Sequence, residues 1–489
     1  MDSPAAPIAS ETQTEAPSTA LQIPRYSYYA LGVLTLVNFL NYIDRQILPA
    51  VAPLMAADLH LSDTEIGAME AALLLSFTVL APLFGRLGDR YSRTKLMASA
   101  AVIWSIATAL TGVMDHSPVL PGSIHFNVPF VQFTLALSGV AVVLCLVRAA
   151  VGVGESSYST ITPALIADYF PPGRRATALG IFQAAIPMGF ALGYVIGVLL
   201  AHFFGWRLAF MIVGVPGLIT AAFVWRLREP ARGANDRGAA LETDAERGEV
   251  MDKPASRTAS ESWWRTSWRI IRTRDWFLST AGYTALTFVL GAFATWANLL
   301  LVRDKGMSVQ GAGITLGVVI LLAGAAGTFG GGWLADRIAR KRRNAYFLVC
   351  AASSFLGIAP AFVSLSATNP FIFIPAVFLT VLFLFVNNAP FHAILVNSVS
   401  ATVRATAVAL NIVAIHIMGD VISRFGVGVL SDSLVAGRAS ALGSLARTLG
   451  IDPIREHLTA ALLVVPLALL ASSLFFLWGA RKKVGGTKQ

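Results

Sequence analysis

The sequence predicts an all-α membrane protein with twelve transmembrane helices arranged as two groups of six. Three observations lead to this fold class. First, 55% of the 489 residues are hydrophobic and only 13% are charged, whereas soluble domains carry roughly 25% charged residues. Second, apolar stretches long enough to cross a bilayer recur twelve times. Third, one long hydrophilic segment separates the first six stretches from the last six.

The predicted spans are runs of apolar residues that, at ~1.5 Å per residue, are long enough to cross a ~30 Å hydrocarbon core. In the first half they cover 28–52, 66–85, 96–114, 130–153 with an extension over 154–170, 175–202 and 206–226. In the second half they cover 277–302, 309–334, 345–367, 371–397, 403–431 and 458–480. An Asn-Asn-Ala-Pro run at 387–390 predicts a break in span 10.

The domain boundaries follow from these spans. We expect a disordered cytoplasmic tail at 1–25, a six-helix bundle at 26–227, a cytoplasmic linker with an amphipathic helix at 228–275, a second six-helix bundle at 276–480 and a basic cytoplasmic tail at 481–489. Because the first tail has no apolar core, we do not expect it to be a cleaved signal peptide. Within the linker, Trp263–Trp276 places Trp264, Trp268 and Ile271 at i, i+4 and i+7 beside Arg265, Arg269 and Arg272. This spacing predicts an amphipathic basic helix at the headgroup layer.

The charge distribution predicts orientation. With both termini in the cytoplasm, 28 of the 37 Lys and Arg residues lie on cytoplasmic tails and loops and six lie outside. The other three are inside spans: Arg45, Arg148 and Arg424. This bias satisfies the positive-inside rule, so the basic excess needs no nucleic-acid partner. The chain is expected to be integral to a membrane, the plasma (inner) membrane if it is bacterial.

Several function classes are not expected. The two cysteines, Cys145 and Cys350, lie in apolar runs and predict neither a disulfide framework nor a zinc site. No phosphate-binding loop follows a strand and opens a helix, so the sequence predicts no nucleotide-driven pump, no enzyme and no cofactor.

One loop motif occurs twice. Gly, three residues, Asp-Arg, two residues and Arg follow span 2 and again follow span 8. The two aspartates lie 247 positions apart, at equivalent places in the two halves. This predicts a duplicated transporter whose charged loops form gates between the halves. The predicted gating residues are Asp89, Arg90, Arg93, Asp336, Arg337 and Arg340. The alternative is charge that only sets topology.

Charges inside the predicted spans form two groups. Span 1 carries Asn41, Tyr42, Asp44 and Arg45, and span 4 carries Arg148, Gly152 and Glu155 on one helix face at i, i+4 and i+7. A charge at the bilayer centre costs at least ~2.5–3.5 kcal/mol, so each needs a role. Burial favours a neutral carboxyl, while a nearby guanidinium favours the charged form. We therefore expect Asp44 and Glu155 to exchange protons under control of Arg148, with a static ion pair as the alternative.

These segments, with the duplicated motif, resemble the major facilitator superfamily over roughly residues 28–480. Asn41-Tyr42-Ile43-Asp44-Arg45, the run from Arg148 to Pro163 and His416-x-x-Gly419-Asp420 resemble the Spinster family of lysolipid and sphingosine-1-phosphate transporters. The resemblance implies two bundles related by a pseudo-two-fold axis, alternating access and a lysolipid-like substrate. It also implies proton-linked roles for Asp44, Arg148 and Glu155, and headgroup recognition by Arg45.

The sequence departs from the family pattern in span 11, where Arg424 follows Ser423. Arg424 either binds the substrate's anionic head or pairs with Asp420, one helical turn away. Glu70 in span 2 is a further extra charge. The predicted substrate-binding residues are Arg45, Asn41, Tyr42, Arg148, Arg424, His416 and Asn388. The alternative for His416 is a structural role instead of substrate binding.

The sequence therefore predicts a monomeric, proton-coupled secondary transporter of a lysophospholipid or sphingosine-1-phosphate-like amphiphile, with protons and membrane lipids as its other partners. The alternative is a proton-coupled symporter of a small organic anion such as a sugar acid. An apolar slot open to lipid favours the amphiphile, whereas a compact cavity crowded with arginines favours the small acid. A membrane receptor without transport activity is disfavoured.

Overall fold

The computed structural model describes residues 23–114, 123–128, 133–233, 263–400 and 403–481. Its first half contains α1 (Arg25–Leu59), α2 (Asp63–Arg90), α3 (Arg93–Thr111), α4 (Gly139–Tyr169) and α5 (Pro172–Trp225). The 54-residue α5 is interrupted at Gly205, where φ is 80°. A left-handed conformation of this kind is readily adopted by glycine. The interruption turns the chain back, so α5 supplies spans 5 and 6.

The second half follows a short linker helix, α6 (Trp263–Ile271). Its elements are α7 (Arg274–Arg303), α8 (Val309–Ala339), α9 (Ala345–Leu356), α10 (Ile358–Ser366), α11 (Pro370–Val386), α12 (Asn388–Asn397), α13 (Arg404–Ala414), a π-helix (Ile415–Val421), α14 (Ile422–Val435), α15 (Ser440–Thr448), α16 (His457–Ala461) and α17 (Val464–Ala480). Helices α9 and α10 together form span 9, and α11 and α12 form span 10. The break at Asn387 confirms the interruption predicted in span 10.

Ten helical stretches of the described residues are long and apolar enough to cross a membrane. One of them, Thr177–Trp225, contains the turn at Gly205 and crosses twice. The 35-residue α1 is also long enough to cross, although polar residues near its centre lower its mean hydropathy. The twelve predicted crossings are therefore confirmed.

The predicted start of span 4 is wrong. Residues 123–138 contain an antiparallel hairpin of β1 (Ser123–Val128) and β2 (Phe133–Ser138), in which Ser123 lies opposite Ser138. Helix α4 begins only at Gly139, where the Ser138 hydroxyl accepts a hydrogen bond from the Ala141 amide at 3.3 Å. Polar and apolar residues alternate in the sequence of β1, which is the period of a strand and not of a helix.

The predicted linker helix is too long at its C-terminal end. Helix α6 ends at Ile271, and a new helix begins at Arg274, so the second bundle starts two residues earlier than expected. Trp264 and Trp268 are exposed on α6, while Ile270 is buried. The first bundle likewise starts at Arg25. Residues 1–22, 234–262 and 482–489, which include most of the predicted tails and linker, lie outside the described residues.

The two halves meet mainly at one end of the spans. A large apolar core joins them, with Val51 and Met69 from the first half and Val289 and Trp296 from the second. A smaller core lies around Trp104 inside the first half. We call the end that carries residues 59–63 and 303–309 the closed end, and the end that carries Asp89 and Asp336 the motif end.

Candidate functional site

Helix α1 carries a buried carboxyl group at mid-span. Asp44 is 1% exposed, and one of its oxygens accepts a hydrogen bond from the Thr108 hydroxyl at 2.6 Å. The other oxygen has no hydrogen-bond partner among the described residues. Asp44 lies close enough to Arg148 and Glu155 to interact electrostatically with both. Asp44 is therefore a buried acid with one free oxygen beside other charges.

Arg45 and Glu155 form an ion pair between α1 and α4. The Arg45 Nε donates to Glu155 Oε2 at 2.6 Å, and the Glu155 side chain is fully buried. Glu155 Oε1 has no partner among the described residues. The Arg45 guanidinium also lies 5.1 Å from the ring centre of Tyr42 and 4.8 Å from that of Phe77. Such cation–π contacts hold the charged group beside apolar surface.

Arg148 is completely buried and bonds to a carboxylate that the sequence left without a role. Its Nη2 donates to Glu70 Oε1 at 3.3 Å, while its Nε and Nη1 have no partner among the described residues. Gly152, one turn further along α4, brings the helix against the Leu73 carbonyl and Ser76 of α2. The absence of a side chain at Gly152 thus lets Arg148 reach Glu70.

Arg424 also binds Glu70, from the other half of the molecule. Its Nη1 donates to Glu70 Oε2 at 2.6 Å and to the Thr295 hydroxyl at 2.9 Å. The predicted pairing of Arg424 with Asp420 is therefore wrong, because Asp420 binds His416 instead, at 2.8 Å. Glu70, which is 3% exposed, is the central anion of a buried Arg148–Glu70–Arg424 triad that joins the two halves.

His416 and Asn388, the remaining predicted binding residues, have partners in the second half. The π-helix that carries His416 packs its Gly419 against Thr287. The His416 ring lies edge-on to Phe77, with ring centres 5.8 Å apart, so it contacts the aromatic ring that Arg45 also covers. Asn388 accepts a hydrogen bond from the Tyr283 hydroxyl at 2.7 Å. His416 thus lies near the Arg45 group across the interface between the halves.

At the closed end, Asp63 connects the two halves. Its carboxylate accepts hydrogen bonds from Arg303 at 2.8 Å and from the Ser431 hydroxyl at 2.7 Å, and it lies 3.4 Å from His457 Nδ1. Asp432 of the second half in turn accepts hydrogen bonds from the first backbone amides of α2. A carboxylate at a helix N-terminus is stabilised by the free amides and the helix dipole.

The sequence analysis missed Asp63 and assigned no role to Glu70, although the sequence contains a signal for both. Asp63, Gly67 and Glu70 repeat the i, i+4, i+7 spacing of Arg148, Gly152 and Glu155. In α2 this face lies against α14, where a side chain at Gly67 would collide with the Arg424 carbonyl. Both polar faces therefore use a glycine to bring another backbone close to the charged residues.

At the motif end, the predicted gating residues make contacts within their own half. Arg93 donates to Asp168 at 2.5 Å and to Glu229 at 3.0 Å. Although partial burial opposes ionisation, hydrogen bonds from Ser92 and Arg93 hold the pKa of Glu229 below its usual value. In the second copy of the motif, Tyr346 donates to Asp336 at 3.0 Å.

The remaining gating residues are at the surface of the motif end. Arg337 covers the Trp333 ring at 5.4 Å, and the residues Asp89, Arg90 and Arg340 are exposed. The hydrogen bonds and ion pairs that join described residues of the two halves, such as those of Asp63, Glu70 and Asn298, lie at mid-span or toward the closed end. The two halves are therefore joined at mid-span and at the closed end.

The contacts on the sealed side come from several helices. Asn298 donates to the Ala50 carbonyl at 2.6 Å, and Tyr194 donates to the Ala294 carbonyl, also at 2.6 Å. Gly313 packs on Val198 at the crossing of α8 and α5. Hydrogen bonds and close glycine contacts therefore reinforce the ion pairs of Asp63 and Glu70.

Comparisons with known proteins agree with this geometry. The family model described as Major Facilitator Superfamily matches residues 34–423. The human protein spinster homolog 1 is 33% identical over 84% of this chain and 74% of its own length. A crystal structure of a bacterial homolog to the human lysosomal transporter Spinster, inward-facing and unoccupied, superposes with a TM-score of 0.70 at 20% identity over 94% of this chain and 96% of its own. A D-xylose-proton symporter superposes with a TM-score of 0.67 at 16% identity, covering 92% of this chain and 97% of its own.

Proposed function

The chain belongs to the major facilitator superfamily and, within it, to the Spinster family, and on this premise we propose that it is a proton-coupled transporter of a lysolipid-like amphiphile. Its relatives are transporters and not enzymes. The observation that carries the proposal is the mid-span cluster of Asp44 and the Arg45–Glu155 pair, since both carboxylates are buried and each keeps one oxygen without a described partner.

Proton coupling follows from competition for these carboxylates. When Arg45 is bound to Glu155, the guanidinium stabilises the carboxylate and disfavours a proton there. When the substrate's anionic group binds Arg45, Glu155 loses its counterion and a buried carboxylate without one takes up a proton. Asp44 accepts the proton at the neighbouring position, and Arg148 influences both acids by its charge. Substrate and proton binding are thereby linked.

The surroundings of Arg45 support an amphiphilic substrate. The Arg45 side chain is 14% exposed, whereas that of Arg148 is fully buried and that of Arg424 is held by Glu70. Aromatic rings of Tyr42 and Phe77 flank Arg45, and Phe190 lies next to Tyr42. A bidentate guanidinium beside apolar surface suits a phosphate head attached to an acyl chain. Asn41, His416 and Asn388 are proposed to complete the polar lining.

A small organic anion is the second candidate, and one observation favours it. The guanidinium groups of Arg148 and Arg424 both retain nitrogens without a described partner, although both residues are at least nine-tenths buried. A compact carboxylate that displaced Glu70 would satisfy both arginines. A sugar acid has this chemistry and lacks the long chain that the aromatic surface near Arg45 would bind.

For alternating access, we propose that the motif end faces the cytoplasm with both termini, as the distribution of basic residues favours. In this orientation the structure corresponds to an inward-facing state. Closing the cytoplasmic side then requires Asp89, Arg90 and Arg93 to approach the second half, and Asp336, Arg337 and Arg340 to approach the first. The protein acts as a monomer, because each six-helix half supplies part of one central site.

A substrate panel tests the proposed substrate class. The purified protein is reconstituted in liposomes under an imposed pH gradient and supplied with a lysophospholipid, sphingosine-1-phosphate or a sugar acid. We expect the two amphiphiles to move and the sugar acid to remain. Protein-free liposomes and a protonophore provide the controls. Movement of the sugar acid alone would replace the amphiphile with the second candidate.

A further inference from the structure

A cavity of ≈ 720 Å³ lies at the motif end of the second half, between spans 8, 9 and 10. Its walls are apolar and include Leu334, Ile338, Leu356, Phe383 and Val386. The cavity does not include Arg45, Glu155 or any residue of the Glu70 triad. It is therefore distinct from the proposed transport site.

Three basic side chains stand at the mouth of this cavity. Arg337, Lys341 and Arg342 follow one another along the end of α8 and the loop after it, and all three are exposed. In the part of the chain that the structure describes, none of them forms an ion pair with a carboxylate. Because Asp336 accepts a hydrogen bond from Tyr346, the acid nearest in sequence is engaged elsewhere. Asp336 keeps its negative charge, so the three basic groups leave the mouth with a net positive charge.

The apolar part of the cavity continues onto the outer surface of the spans. Leu334 is 40% exposed, Leu356 is 54% exposed and neighbouring Phe355 is 60% exposed. In a membrane-spanning bundle such residues face hydrocarbon chains. A molecule bound here would thus have its anionic group at the basic mouth and its apolar part in a slot that opens into the bilayer.

We infer that this cavity binds an anionic diacyl glycerophospholipid of the surrounding leaflet, with its phosphate on Arg337, Lys341 and Arg342 and one acyl chain between spans 8, 9 and 10. Basic pockets between transmembrane helices on the cytoplasmic side are suited to anionic lipid heads. The orientation proposed above places the mouth in that leaflet. A soluble phosphate would use the three basic groups but would leave the apolar slot empty, so the combined chemistry favours the lipid.

Such a lipid would contact the loop that carries the second copy of the duplicated motif. Arg337 belongs both to this motif and to the mouth of the cavity. A lipid phosphate on Arg337 would hold this side chain at the membrane surface and away from the first half. The site therefore offers a way for membrane composition to influence closure of the motif end.

The test titrates the purified full-length protein with phosphatidylglycerol or phosphatidylcholine and counts bound lipids by native mass spectrometry. The first variant, K341Q/R342Q, removes two exposed charges outside the predicted gate. The matched control, R174Q/R226Q, removes two exposed arginines from the same end of the first half. A second variant, Ala352→Trp, fills the slot at a lining residue without changing charge.

We expect the wild type to bind phosphatidylglycerol more tightly than phosphatidylcholine. Each charge removed by K341Q/R342Q should weaken phosphatidylglycerol binding about fivefold, and the control should stay within about twofold. Ala352→Trp should weaken binding of the diacyl lipid. Inorganic phosphate, added as a competitor, should not displace the lipid from the wild type or from this variant. Unchanged phosphatidylglycerol binding in K341Q/R342Q would overturn the inference. Displacement of the lipid by inorganic phosphate, together with no effect of Ala352→Trp, would assign the site to a free anion and overturn it too.

This experiment is independent of the transport proposal. It measures equilibrium binding in detergent and uses neither a substrate nor a pH gradient. A protein that failed to move any member of the substrate panel could still bind phosphatidylglycerol at this cavity. Conversely, loss of lipid selectivity would leave the roles of Asp44, Arg45 and Glu155 unaffected.

Discussion

Replacing Glu155 with glutamine is expected to abolish uphill transport driven by a pH gradient while leaving substrate exchange within about threefold of wild type. Glutamine keeps the length of the side chain and can still accept a hydrogen bond from Arg45, but it cannot release a proton at any physiological pH. The substrate site is therefore retained and the coupling is lost. Parallel assays of accumulation under a pH gradient and of counterflow at equal pH separate these two effects.

The matched control for this variant is Glu65→Gln. Glu65 is also buried at the closed end, where one oxygen closes the capping box of α2 with Ser62 and the other accepts a hydrogen bond from the Ser138 amide at 2.6 Å. Glutamine keeps the capping-box bond and loses only the second bond. Both activities should remain close to wild type in the control. Wild-type accumulation in Glu155→Gln would remove Glu155 from the coupling mechanism. Equal loss of accumulation and counterflow, with an unchanged unfolding temperature, would instead identify Glu155 as part of substrate binding.

Replacing Arg424 with methionine is expected to open the closed end. The substitution leaves Glu70 paired with Arg148 but removes one of the ion pairs that join the halves. Breaking a buried ion pair by removing one partner costs about 3–5 kcal/mol. Because Glu70 keeps Arg148 as a counterion, we expect the lower end, about 3 kcal/mol, which shifts a two-state equilibrium by about two orders of magnitude. Because the lost bond exists only in the conformation sealed at this end, the opposite conformation should become populated.

Spin labels at Phe203 and Ala436 measure this shift, because both positions are exposed near the closed end and belong to opposite halves. The Arg424→Met variant should show a longer distance component that the wild type lacks. The matched control is Arg303→Met, which removes the two hydrogen bonds from Arg303 to Asp63 but leaves the bond from Ser431 and the contact with His457. In this control, the population at the longer distance should be smaller than in Arg424→Met. An unchanged distance distribution in Arg424→Met would show that the triad does not hold the halves together.

The sequence was sufficient to predict the twelve spans, the duplicated halves and the buried face of Arg148 and Glu155. These features depend on apolar length and helical spacing, which can be read along a single chain. It did not predict which partners the charges choose. Arg424 lies one turn from Asp420 in sequence but binds Glu70 on the other half, because the choice depends on how the two bundles dock.

The hairpin before α4 and the contacts of Asp63 illustrate a second limit of prediction from the sequence. The apolar run that begins at 130 satisfies the length criterion for a span, yet the backbone of 133–138 pairs as a strand with residues 123–128. Asp63 lies just before the predicted span 2, so the sequence analysis assigned it no role, although it joins the two halves. The hairpin depends on pairing between two neighbouring segments, and the contacts of Asp63 depend on how the two halves dock. Neither can be derived from the apolar length of a single span.

The central claim is that substrate and protons move together through the Asp44–Arg45–Glu155 cluster. The most direct test encloses a pH-sensitive dye in proteoliposomes and adds a transported amphiphile without an imposed pH gradient or membrane potential. We expect substrate entry to change the internal pH in the wild type and not in Asp44→Asn, and liposomes without protein to show no change. Substrate flux at a substantial rate with a constant internal pH would contradict the claim.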